Sequence, residues 1–263
     1  MRPLEPQFPT ALAFALRNQA RNRLAWMLLA GFVPAWYALM VGLIGHEPLT
    51  YRLFSTGTML RVDGRSLGLV TAGMNSLTLI VGFAVFAAVR RALPLDRRLV
   101  FAGYRQSRLI AAKALATAIV AAAIAAYAGL VLLAFWRPSL AGWVAVLSAF
   151  AVMAIEYGAL GLLLGVLVKG DLEGFFLIIM SGLVDTFLQN PIGNPVANKP
   201  LLEYFPSFRP MQFASGGAFG DTWLFAELAL GLAWAAAFAL LALAVFRVRT
   251  RVRHQPRSKW RTA

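Results

Sequence analysis

Four stretches of this chain run for twenty residues or more with at most one charge: Leu24 to Ile44, Leu67 to Val89, Ala114 to Trp136, and Trp143 to Val168, the last interrupted only by Glu156. A helix rises 1.5 Å per residue, so about 20 apolar residues cross a hydrocarbon core of roughly 30 Å. Such runs have few alternatives, because lipid offers no partner for a free backbone N–H or C=O and the helix satisfies both within the segment. A further span, Trp223 to Phe246, carries Glu227 one turn from its start, where an interfacial position makes the charge cheap. Phe175 to Leu188 is shorter and holds Asp185 before the chain breaks at Asn190, Pro191, Gly193 and Pro195. It reads as a full helix from about Asp171, or as a broken one. The expectation is an all-α membrane protein, one transmembrane domain over residues 1–263, with six spans near 24–44, 67–89, 114–136, 143–168, 172–188 and 223–246. The first run is too long for the apolar core of a cleaved leader, so the first helix is expected to be retained.

Charge decides how such a bundle sits. Of the 25 Lys and Arg residues, nineteen fall on one side of the membrane if the N-terminus is cytoplasmic: four before the first span, seven between Arg90 and Lys113, Lys169, and seven from Arg247 to Arg261. Only Arg52, Arg61, Arg65, Arg137, Lys199 and Arg209 fall on the other. The positive-inside rule therefore places both termini in the cytoplasm, and an odd number of spans would carry the basic tail outside. The formal charge of +14 does not indicate nucleic acid, because the Arg residues sit at the ends of apolar runs instead of interleaving with aromatics on a polar face. Membrane lipid is the expected partner of the basic tail. Zero Cys excludes disulfides and thiolate metal sites. Ahead of the first span, Leu12, Ala13, Leu16 and Ala20 line one face of a helix starting near Pro9, with Arg17 and Arg21 on another, which suits the inner membrane surface or a cytoplasmic extension of the first span.

Chemistry is sparse. No G-x-x-x-x-G-K-[ST] loop occurs, so ATP cannot be bound by that means, and no cofactor is expected in the chain itself. His46 and His254 fall on opposite sides of the membrane, and no H-E-x-x-H or G-x-S-x-G pattern occurs, so a conventional enzyme is not expected. The intramembrane polar residues are the sharper candidates, since a carboxylate at mid-bilayer costs on the order of 2.5 to 3.5 kcal/mol. Glu156 lies midway along its span; it either contacts another helix, at Asn75 or Tyr127, or faces the substrate path. Asp185 lies nearer the outer end of the fifth span, where it either stabilises a helix break or contacts substrate. The outer connection 189–222 mixes five Pro with Leu201, Tyr204, Phe205, Phe208, Arg209, Met211 and Phe213. Such a segment dips into the outer interface, as a gate built on Phe205, Phe208, Arg209 and Met211 or as an aromatic belt.

Taken together, an N-terminal interfacial helix, six spans, an Arg-rich inner loop and a re-entrant outer segment before the last span resemble the type 2 ABC exporter permeases. Leu99-Val100-Phe101-Ala102-Gly103-Tyr104-Arg105, followed by Ala112-Lys113-Ala114, looks like the family's coupling helix, its turn and the Lys-bearing start of the third span. Tyr204-Phe205-Pro206-Ser207-Phe208-Arg209-Pro210 is similar to the family's outer aromatic stretch, with Arg209-Pro210 where Asn-Pro is usual. The acidic residue and Gly-Thr usually found ahead of the coupling helix are replaced by Arg90-Arg91-Ala92-Leu93-Pro94-Leu95-Asp96. The resemblance implies a half-transporter that pairs with a second or sister permease and with separate ATPase subunits, where ATP and Mg would bind. It also implies a cytoplasmic coupling segment, 90–113, that contacts the ATPase through Asp96, Arg97, Arg98, Leu99, Phe101, Tyr104 and Arg105. A path with few charges suits an amphiphile such as a drug, natural product or lipid, with a lipid-linked glycan as the second choice. A proton-coupled carrier using Glu156 is the reading from outside the family.

Overall fold

The computed structural model describes residues 7–189 and 200–250. In chain order these form α1 (Gln7–Ala20), α2 (Arg23–Leu43), β1 (Pro48–Arg52), β2 (Met59–Asp63), α3 (Gly64–Phe101), α4 (Gln106–Leu132), α5 (Leu140–Leu167), α6 (Asp171–Gln189), a 3-10 turn over Pro200–Tyr204, α7 (Phe208–Phe219) and α8 (Phe225–Thr250). Five of them, α2, α3, α4, α5 and α8, are long and apolar enough to cross a membrane, and the chain is a largely helical, multi-pass membrane protein. Helix α6, which carries Asp171, Glu173 and Asp185, is not one of the five. The expected break at Asn190, Pro191, Gly193 and Pro195 lies outside the described residues, as does the tail beyond Thr250.

One element departs from an all-helical chain. The connection between α2 and α3 folds into an antiparallel hairpin, with Pro48 opposite Asp63 and Arg52 opposite Met59. Its alternation buries Tyr51 and Val62 and exposes their neighbours. Gly57, at φ +72°, supplies the left-handed residue that the turn needs. The second strand runs directly into α3, where the Asp63 side chain accepts hydrogen bonds from the Ser66 amide (2.9 Å) and hydroxyl (2.7 Å) as an N-cap.

Helices α3 and α5 form the centre and are mostly buried, while α2 and α8 lie at the perimeter and are mostly exposed. The central pair packs backbone against backbone. A Cβ at Gly161 would lie 2.5 Å from the Gly82 carbonyl oxygen, so only glycine permits this approach. On the perimeter, α2 is tied to α4 by the Tyr37 hydroxyl, which donates to the Ala128 carbonyl at 3.3 Å.

At the end of the bundle away from the hairpin, α3 continues as helix through Pro94 to Phe101, well beyond the expected end of its span at Val89. At 1.5 Å per residue its 38 residues extend about 57 Å, nearly twice a hydrocarbon core. Gly103, at φ +93°, turns the chain into α4. The elbow is fixed by an ion pair between Lys113 and Asp96, both buried. Two guanidinium groups close the C-terminus of α5: Arg90 donates to the carbonyls of Val168 (3.0 Å) and Lys169, and Arg249 to those of Val166 and Leu167, both at 2.5 Å. Cations there match the negative end of the helix dipole. Helix α1 lies against α4 and α3, with Asn18 donating to the Ala88 carbonyl (3.1 Å) and Gln19 to the Thr117 hydroxyl (3.3 Å). Ala15 is buried against the bundle, while Ala13 and Ala20, on the face expected to meet the membrane surface, are exposed.

Candidate functional site at the start of α7

The residues singled out for the outer segment and for the mid-bilayer meet around the first turn of α7. This helix is only 12 residues long, about 18 Å, yet Pro210 to Gly217 are buried against α5 and α8. It is a plug within the hairpin end of the bundle. Ser207 precedes it, and its backbone N–H donates to the Asp185 carboxylate of α6 at 3.0 Å. The same Asp185 oxygen accepts the Tyr157 hydroxyl of α5 at 2.6 Å. A carboxylate at the first turn of a helix is stabilised both by the free amide and by the positive end of the dipole. Asp185 thus ties α5, α6 and α7 together.

Arg209, one residue into α7, reaches the opposite way. It pairs with Glu227 of α8 at 2.9 Å and approaches Glu203 of the 3-10 turn at 3.6 Å, with its guanidinium 5.5 Å from the Phe208 ring centre. Glu227, expected to be made cheap by an interfacial position, is only 4% exposed and is compensated by this ion pair, which holds α8 to α7. Phe208 meets Phe54 of the hairpin turn edge to face, at 5.8 Å. One turn on, Gln212 accepts from the Phe54 amide (2.7 Å) and donates to the Tyr51 hydroxyl (2.9 Å). Burial above all pushes the Tyr51 phenol up, which keeps it neutral. Of the four expected gate residues, Phe208 and Met211 are buried, and Phe205 and Arg209 are half-buried.

Glu156 completes the arrangement. It follows the same turn of α5 as Tyr157, but about 100° round the helix, so Tyr157 addresses α6 while Glu156 addresses α8. It is fully buried, and neither carboxylate oxygen has a hydrogen-bond partner among the described residues. Of its two expected roles, the hydrogen bond to Asn75 or Tyr127 is not made among the described residues; Asn75 is itself buried with its carbonyl oxygen unpartnered. A Cβ on Gly231 of α8 would lie 2.8 Å from Glu156 Oε1, 2.7 Å from Val152 Cγ1 and 3.6 Å from Pro210 Cδ, so these groups wall the carboxylate.

The segment 90–113, expected to contact an ATPase, lies at the other end. Asp96 faces inward to Lys113 and Leu99 is partly buried, whereas Arg97, Arg98, Phe101 and Arg105 are exposed and Tyr104 is half-buried. A shallow cleft of about 370 Å³ opens at the elbow, lined by Tyr104, Arg105, Gln106 and Arg247 of α8 among others. Sequence reasoning missed Tyr51, Gln212 and the Arg209–Glu227 pair. Their partners are more than a dozen residues apart and share no periodicity that would join them. No protein-family model matches this chain, and no characterised protein matches it at a significant level.

Proposed function

We propose that the chain is the permease subunit of an ATP-driven exporter for amphiphilic molecules, of the type 2 ABC class, working with a second permease and separate ATPase subunits. In this reading α6 is the fifth of six crossings, both termini are cytoplasmic, α1 lies along the inner membrane surface, and the α7 segment is a re-entrant outer gate. The observation that carries it is the rigid elbow of α3 and α4. A helix that outruns the bilayer, ends at a tight glycine turn and is pinned to its successor by the buried Asp96–Lys113 pair is suited to act as a lever. Force applied to its exposed tip, where Phe101 is 65% exposed beside Arg97, Arg98 and Arg105, would move α3 as one body. Because α3 is the main neighbour of α5, that movement would reach Tyr157, Asp185 and the α7 plug.

Purification of the tagged chain in mild detergent from its native host tests this. A stoichiometric ATPase subunit is expected with the wild-type chain and is lost at least tenfold in a Phe101→Asp, Arg105→Glu variant of equal yield. Absence of any ATPase would overturn the reading and leave Glu156, a buried carboxylate without a partner, as the basis for a proton-coupled carrier.

A further inference from the structure

We propose that Glu156 and the alanine-lined cleft beside it bind the positively charged group of an amphiphilic organic cation, so that such cations are the substrate class of the permease; this rests on the exporter reading above. A fully buried carboxylate with both oxygens unpartnered is costly in a bilayer, and a cation that enters with its own charge removes that cost. The surroundings favour a cation strongly. Around the first turn of α7 the described residues gather Glu156, Asp185, Glu203 and Glu227, with one guanidinium, Arg209, that is engaged by Glu227 and Glu203. An anionic head group would be repelled at Glu156, and a neutral one would leave the charge of the carboxylate unbalanced.

The walls decide which kind of cation. Val152, Pro210 and Gly231 supply no oxygen ligands, and among the described residues no three His, Asp or Glu side chains converge as a metal set. A hard inorganic ion needs about six oxygens to replace its hydration shell. An alkylated ammonium or aromatic iminium ion needs one carboxylate and an apolar berth for its body. Within one turn of Glu156, on the same two helices, lies such a berth: a cleft of about 220 Å³ between α4, α5 and α8, lined by Ile155, Ala159, Leu232 and Ala235 among others, with Glu156 itself outside the lining. Ile155 and Ala159 flank Glu156 on α5, and Leu232 and Ala235 flank Gly231 on α8. The head group and the apolar body thus have adjoining places on the same pair of helices. Access requires α8 to part from α5 at Gly231, where a side chain larger than hydrogen already would not fit.

The test uses the full chain in lipid nanodiscs, with ethidium as the cationic probe and Nile red as a neutral amphiphile, each followed by fluorescence against empty nanodiscs. Saturable ethidium binding is expected in the wild type. It should weaken at least tenfold in Glu156→Gln, with Nile red unchanged, and recover in part in Glu156→Asp. Ala235→Phe, which fills the cleft and keeps the carboxylate, should weaken ethidium as well. The proposal is overturned if the wild type takes up ethidium no better than empty nanodiscs, if Glu156→Gln binds it as the wild type does, if both probes are lost in parallel, or if Ala235→Phe leaves its affinity unchanged. Binding needs no ATPase, so failure here is distinct from failure of the exporter reading, which the co-purification decides.

Discussion

Single residues set the strength of the joints. Asp63 caps α3, and although burial raises its carboxyl, the Ser66 hydroxyl and amide together with His46 outweigh this and hold it below the usual carboxylate range. Replacing it by Ala should cost about 1 kcal/mol. A depressed carboxylate contributes stability above its unfolded value and loses it as pH falls through the folded one. The difference in thermal unfolding between wild type and Asp63→Asn should therefore narrow below about pH 4. At the other joint, Lys113→Met leaves Asp96 buried without its partner and should cost about 3 to 5 kcal/mol, most of which returns in the Asp96→Leu, Lys113→Met double variant. Unfolding of the wild type and these variants in detergent checks both. The cap was within reach of the sequence, since Asp63 and Ser66 stand three apart. The Asp96–Lys113 pair was not, because both residues read equally well as exposed loop charges.

Among the elements, α3 and α5 carry the architecture. Gly161 and Gly165 stand four apart on α5, a spacing that marks close helix contact in a bilayer. At Gly161 the opposing group is backbone, the Gly82 carbonyl, which cannot move aside as a side chain can. Gly161→Leu should sharply reduce the yield of folded, monodisperse protein, whereas Gly31→Leu on the perimeter helix α2, where nothing lies within 4 Å, should leave it unchanged; size-exclusion profiles read the difference. The existence of these spans was legible from their apolar runs. How far their helices continue was not: the second span was expected to stop at Val89, where charge begins at Arg90, and its helix runs on past that point to Phe101. Arg90 is tolerated there because it caps α5, a contact that hydropathy along one segment cannot register. The hairpin was passed over because two five-residue strands give a weak alternation beside twenty-residue runs.

For the whole molecule, the exporter reading fixes which end faces which compartment. The chain has no cysteine, so single cysteines can report on it without a background. Thr56→Cys in the hairpin turn should react with a membrane-impermeant maleimide in intact cells, and Phe101→Cys only after permeabilisation. The reverse pattern would invert the topology and remove the elbow from the ATPase side.

Sequence by itself determined that this chain lives in lipid as a bundle of helices with its Lys and Arg clustered at the ends of particular runs, because hydrocarbon admits almost no other backbone structure and the apolar runs and Arg clusters are properties of contiguous segments. Only the tertiary structure decided that Asp185, Tyr157 and Ser207 join, that Arg209 reaches Glu227, and that Glu156 faces a glycine of α8 without a partner. Those facts depend on the rotation of each helix about its axis and on contacts between residues far apart in the chain, which close packing fixes and local composition does not.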